Sequence, residues 1–255
     1  MNVTCVFAHQ DDEMRCLGTL LRLHARGHRI GFVCVTDGGG GLPFGGPDGE
    51  PAAAVREREM RAVAERFDAQ YLCLGREDGF TTGDAALRRD LIAALRRLGS
   101  ELIITHWTSD YNDDHVVTAK AVTDAALFVN LASFEPAVAA LPSVPRVLYA
   151  HPGEGYGFEP THFVELSAAH VAEKSELIRR HDSQMAVMRR LRGYDYADEM
   201  AAETHRTGAR LMVAHAEAFR PCLAERRIPW PTDLPGPLSE SGPLSESGPL
   251  SEEGV

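Results

Sequence analysis

Strand-length apolar runs alternate with helix-length stretches along most of this chain, and no other property narrows its fold as far. Runs at 2–7, 29–36, 69–74, 102–105, 145–150 and 162–166 are strand-like, and stretches at 14–26, 51–67, 84–98, 114–133 and 168–192 carry helical spacing. Strands that are apolar on both faces are covered on both sides, and strands joined through helices lie parallel. The expectation is an α/β protein, Rossmann-like, with a mostly parallel sheet and helices on both faces. The stretch 196–220 has Ala, Leu and Met at helical spacing and reads as a last helix, irregular over 194–199.

A length of 255 residues suits one sizeable core, expected over 1–235. From Gly236 the hexamer Gly-Pro-Leu-Ser-Glu-Ser recurs at Gly242 and, ending in Glu, at Gly248. Such a composition buries too little apolar surface to offset ordering entropy, so 236–255 is expected to be a disordered tail. Loops rich in Gly and Pro at 37–51 and 151–161 fall at strand ends, where lids and substrate contacts are common. A net charge of −11, with Arg interleaved among acids as in Arg56-Glu57-Arg58-Glu59, argues against a nucleic-acid partner. No leader-like segment opens the chain and no apolar run nears the roughly 20 residues of a membrane span, so a soluble, cytoplasmic protein is expected. Cys5, Cys16, Cys34, Cys73 and Cys222 occur singly and read as reduced, buried packing residues.

Chemistry concentrates after two of the strands. Ala8-His9-Gln10-Asp11-Asp12-Glu13 places an imidazole and three carboxylates on the first strand-to-helix turn, where open α/β sheets keep their ligand crevice. A second cluster, Thr105 to His115, follows the 102–104 run and precedes a helix. If both strands end on one rim, His9, Asp12 and His115 converge, and two imidazoles with one carboxylate and an open fourth position form the donor set of a catalytic zinc. Each residue alone has a plainer use: His106 bonded to backbone, Asp113 or Asp114 capping a helix. Two such clusters at equivalent positions favour a metal, because a buried Asp-Asp-Glu run is costly without compensating charge.

Competing motifs fail on spacing. A calcium loop starting at Asp110 needs Gly at its sixth position and Glu at its twelfth, where His115 and Ala121 stand. Gly38 to Gly41 follows the second strand rather than the first and reads as a flexible loop, not a dinucleotide fingerprint. Neither a Gly-x-Ser-x-Gly elbow nor a Walker A sequence occurs.

The ordered blocks resemble the LmbE/PIG-L family of zinc-dependent N-acetylglucosamine deacetylases. The resemblance rests on His9 to Glu13, on the block ending Asp114-His115, and on Thr36-Asp37-Gly38 and Arg56-x-x-Glu59. It continues through Leu74-Gly75, Asp78-Gly79, and Lys174 to His181-Asp182-Ser183-Gln184, over about the first 190 residues. It implies that His9, Asp12 and His115 bind Zn2+, that Asp11 is the general base, and that Glu13 supports the site. It further implies that Arg56 and Asp78 hold sugar hydroxyls. Two positions depart from the family pattern: Gln10 replaces Pro, and Asn112 replaces a His that helps neutralise the oxyanion. Asn112 still offers substrate a hydrogen bond but carries no charge, which leaves His106, His151 and His181 as candidate cations.

The implied activity is hydrolysis of an N-acetyl or other N-acyl group on a glucosamine-containing small molecule. A glycopeptide antibiotic pseudoaglycone and a thiol-biosynthesis glycoside are the substrates such a family suggests. Two alternatives carry different expectations. A sugar-binding paralogue without turnover would follow from Asn112. A nucleotide-sugar glycosyltransferase would hold magnesium or manganese through Asp11 and Asp12, whereas two histidines favour zinc.

Overall fold

The computed structural model describes residues 1–153 and 156–229; the repeat tail at 236–255 lies outside them. Its strands are β1 (Asn2–Phe7), β2 (Arg29–Thr36), β3 (Gln70–Arg76), β4 (Leu102–Thr105), β5 (Arg146–Ala150), β6 (His162–Glu165) and β7 (Ala216–Pro221). Helices α1 (Leu17–Ala25), α2 (Ala52–Glu65), α3 (Ala85–Arg97), α4 (Asp113–Ala126), α5 (Ala168–Ile178), α6 (Asp182–Arg192) and α7 (Tyr196–Ala209) pack around them. One sheet holds all seven strands in the order β3-β2-β1-β4-β5-β7-β6. Strands β1 to β5 pair in parallel, and β7 runs antiparallel between β5 and β6.

The apolar runs split by residue parity into two cores. Val3, Cys5 and Phe7 of β1, with Ile30, Phe32 and Cys34 of β2, face a cluster that includes Leu17 and Leu20 of α1, Met60 and Val63 of α2, and Leu177 of α5. Val6, Val33, Val35 and Ile103 face the other side, against Leu87, Leu91 and Leu95 of α3 and Val122 and Ala125 of α4. Side chains alternate across a strand, so a continuous apolar run supplies both layers at once. Phe7, Phe32, Leu20 and Leu91 are almost wholly buried, each contributing about 1.5–3 kcal/mol by transfer from water.

Topology places the site. From β1 the chain moves outward through β2 and β3 on one side, then returns to add β4 and β5 on the other. The crevice of an open α/β sheet lies at such a reversal, beyond the carboxyl ends of the strands. The two chemistry-bearing clusters follow β1 and β4, which are direct neighbours with Val6 opposite Thr105.

Three sequence expectations are corrected. The region 196–220 is not one helix: α7 ends at Ala209 and Ala216–Pro221 is strand β7. Ala216 and Ala218 favour helix locally, but pairing with β5 on one side and β6 on the other overrides that preference. The region 168–192 is two helices, broken where His181 turns its ring into the interior. Cys73 is exposed, because β3 lies at the sheet edge; the other four cysteines are buried, and all five are free thiols. Among the described residues, no helix is long and apolar enough to cross a membrane.

Candidate metal centre

The turn after β1 is built on a strained residue. Asp11 has φ 125° and ψ −17°, a conformation rarely adopted by residues other than glycine. Three contacts hold it. Its backbone N–H donates to Glu13 Oε2 at 3.0 Å, and Arg56 donates to Asp11 Oδ1 at 2.7 Å and to the carbonyl of Gln10. Glu13 is fixed in turn by His181, whose Nε2 lies 2.8 Å from Glu13 Oε1 in a fully buried pair. Behind the turn, the carbonyl of Ala8 accepts from Thr36 N and Thr36 Oγ1, both at 2.9 Å, tying the end of β1 to β2.

The donors converge. His9 Nδ1 lies 3.2 Å from Asp12 Oδ2 and 3.2 Å from His115 Nε2, and His115 Nε2 lies 3.4 Å from Asp12 Oδ1. Tetrahedral zinc with bonds of about 2.0–2.2 Å sets its donors about 3.3–3.5 Å apart. The two imidazoles meet different oxygens of Asp12, and one donor atom from each of the three residues lies within 4.8 Å of the others, a group with the size and the chemistry that a zinc ion requires. His115 reaches it from the first turn of α4, which Asn112 caps by accepting from Asp114 N at 2.9 Å.

Carboxylates stand behind both imidazoles, as they do around metal-ligating histidines in general. His9 Nε2 is 3.1 Å from Asp78 Oδ1 and 3.3 Å from Asp114 Oδ2, and His115 Nδ1 faces Asp110 Oδ2 at 3.2 Å. Asp114 is itself anchored by Gly79 N at 2.7 Å and Thr81 N at 3.0 Å, and Asp78 by Gly40 N at 3.0 Å. The Gly-rich loop after β2 is thus tethered to the centre, with Gln184 also donating to Gly41 O at 2.8 Å.

Electrostatics favour a cation. Burial works against charge on His9, but hydrogen bonds to Asp114, Asp12 and Asp78 push its pKa up to about 12. His115 is likewise buried, yet Asp12 and Asp110 raise it to about 9. Asp12 is held well below the usual carboxylate range by His115 and His106 in spite of burial. Asp11 differs: burial raises it to about 6, against the pull of Arg56. A carboxyl so placed exchanges a proton near neutrality.

The expected site residues occupy distinct places. His9, Asp12 and His115 supply the converging donors, with Asp11 adjacent in sequence and clamped by Arg56. Arg56 is 2 % exposed and its guanidinium faces Asp11, while Asp78 backs His9. Asn112 uses its carbonyl oxygen as a helix cap. Of the histidines considered as cations, His106 stacks on His115 with ring centroids 3.9 Å apart and accepts from Ala8 N at 2.9 Å. Burial and His115 lower its pKa to about 4, so it is neutral. Gln10 sits in the position of the family proline, buried and donating to Thr36 O at 3.1 Å and Tyr71 Oη at 3.2 Å. Sequence reading missed Asp110 and Asp114 as partners of the imidazoles; their nearness to His115 was the available signal.

An α/β protein with a histidine–aspartate metal-type centre at its topological switch point is the class these features define. Residues 4–126 match the family model described as PIG-L, GlcNAc-PI de-N-acetylase, and the chain carries a PIG-L/LmbE family domain over that span. Solved structures share the fold. The N,N'-diacetylchitobiose deacetylase from Pyrococcus horikoshii is 21% identical, covers 86% of this chain and 83% of its own, and has a TM-score of 0.74. A conserved protein from Thermus thermophilus is 25% identical over 90% of this chain and 98% of its own, with a TM-score of 0.73. The 4-carboxy-2-hydroxymuconate hydratase GalB from Pseudomonas putida is 18% identical over 88% and 98%, with a TM-score of 0.67. No curated protein matches the chain.

Proposed function

We propose that this protein is a zinc-dependent amide hydrolase that removes a short N-acyl group, acetyl in the first instance, from a glucosamine-containing small molecule. The observation that carries the proposal is the convergence of His9, Asp12 and His115, whose nitrogens and carboxylate oxygens approach one another at 3.2–3.4 Å, one residue away from a clamped carboxylate. The family domain over residues 4–126 supports the same substrate class.

His9, Asp12 and His115 would hold the zinc ion, which would polarise the acyl carbonyl as a Lewis acid and lower the pKa of a water. Asp11 accepts the proton of the attacking water as its oxygen bonds to the carbonyl carbon. Arg56 keeps the Asp11 carboxylate aimed and ionised, and Glu13 with His181 keeps its backbone in the strained turn. Asp11 then returns the proton to the nitrogen as the C–N bond breaks, so amide and water become amine and carboxylic acid. Asp78, Asp110 and Asp114 orient the ligand imidazoles. The reduced thiols and the small amino-sugar substrate suit a cytoplasmic enzyme.

The presence of a hydratase among proteins of this fold makes product analysis decisive. The test is metal analysis with a free-amine assay on N-acetylglucosaminyl substrates. One zinc per chain and zinc-dependent amine release are expected. A protein that binds zinc but releases no amine from any such substrate would refute the proposed reaction.

A further inference from the structure

Asn112 leaves this centre without the charged group that the family resemblance places there, and the three histidines that sequence offered as substitutes do not fill the gap equally. His106 is neutral and serves Ala8, and His181 is buried against Glu13. A small cavity of about 20 Å3 lies against Asp12 and His115, and two basic residues, Arg15 and His151, line it. Phe7, Met14 and Ala150 give it apolar walls.

We propose that Arg15 is the catalytic cation of this enzyme: its guanidinium binds the acyl oxygen during hydrolysis and the carboxylate of the released acid. The inference rests on the amide-hydrolase reading above. Arg15 closes the 3-10 turn that begins at Asp12, so it emerges three residues from a metal ligand. Its Nη1 donates to Glu203 Oε2 on α7 at 2.7 Å, which fixes the guanidinium from one edge. The side chain remains 19% exposed, and its planar fork of five donors leaves others for a ligand. His151 shares the same carboxylate, at 3.4 Å from Glu203 Oε1, and accepts from Gly153 N at 3.1 Å. The Arg15 guanidinium carries a permanent charge.

The cavity also selects the acyl group. A volume near 20 Å3 holds roughly one small group, since a single water needs about 10–15 Å3 on the same measure. An acetyl methyl meets the apolar walls while its oxygen faces Arg15. A long acyl chain does not fit.

The experiment uses the full-length, zinc-loaded protein with Arg15→Met, Arg15→Lys and the double variant Arg15→Met/Glu203→Gln, which avoids an unpaired Glu203. Three quantities are read: zinc content, acetate affinity by calorimetry, and kcat with KM for amine release. Arg15→Met and the double variant are expected to keep zinc, lose at least tenfold in acetate affinity, and lose about 100-fold in kcat with KM within threefold. Arg15→Lys is expected to recover part of both losses. Acetate affinity and kcat within threefold of the parent in Arg15→Met and in the double variant would overturn the proposal. If the parent releases no amine yet binds acetate in an Arg15-dependent way, the hydrolase reading fails and the anion site stands.

Discussion

Two clusters of buried charge lie close together along the chain, one at the start of α1 and the other in the turn that joins β1 to it. At the first, the Glu217 carboxylate accepts from Gly18 N, Thr19 N, Thr19 Oγ1 and Lys174 Nζ at 2.6–3.0 Å. At the second, His9, Asp12 and His115 turn their donor atoms toward one another, with Asp78, Asp110 and Asp114 behind. Both are removed from water, yet only the first is complete within the protein. Lys174 and Glu217 neutralise each other, and the carboxylate also caps the helix start. The second gathers more carboxylates than its imidazoles need, around atoms that can share a cation. Burial of charge is common to both; what separates them is that the second turns donor atoms of three residues toward one another.

That contrast is open to direct attack, and the largest effect belongs to the second cluster. Asp11→Asn preserves shape and tolerance of positive φ but removes the proton acceptor, so amine release is expected to fall about 10³-fold or more with thermal stability little changed. A comparable loss of stability would make Asp11 structural. Next comes the closed cluster. Lys174→Met strands the Glu217 carboxylate and is expected to cost about 3–5 kcal/mol in urea unfolding, while zinc per folded chain stays constant. Loss of zinc from the folded variant would mean that the two clusters are coupled rather than independent.

A smaller effect tests the pair at the rim. Burial raises the Glu203 carboxyl, but Arg15 and His151 outweigh it and bring its pKa down to about 2, from 4.5 when free. A carboxyl with a depressed folded pKa stabilises the fold above its unfolded value, and that contribution disappears as pH falls from about 4.5 toward 2. The shift corresponds to about 3 kcal/mol at most. Acid unfolding of Arg15→Met/Glu203→Gln is therefore expected to show a shallower loss of stability across that window than the parent. Parallel curves would mean that Glu203 contributes nothing to acid stability.

The half of the fold that builds the site was legible in the sequence, because its strands are apolar on both faces and its helices are amphipathic. β1 and β4 fall within the expected runs, and their shared rim brings His9, Asp12 and His115 together. What was hidden depends on distant contacts. β7 is rich in alanine and becomes a strand only between β5 and β6. The break at His181 is set by Glu13, far away in sequence. Arg15 lies in the expected helix 14–26, where it resembles a surface residue; a 3-10 turn over Asp12–Arg15 instead delivers it to the cavity. Asp114 reads as a helix cap and Asp78 as a holder of sugar hydroxyls, because nothing local reveals the imidazole they face.

The central claim is that His9, Asp12 and His115 hold a metal while Asp11, one residue away, does not. Zinc content of purified Asp11→Asn and His115→Ala proteins, measured side by side after equilibration with the same free zinc, tests it most directly. Close to one zinc per chain is predicted in Asp11→Asn and almost none in His115→Ala. Equal loss in both would make Asp11 a ligand and contradict the assignment of the two carboxylates.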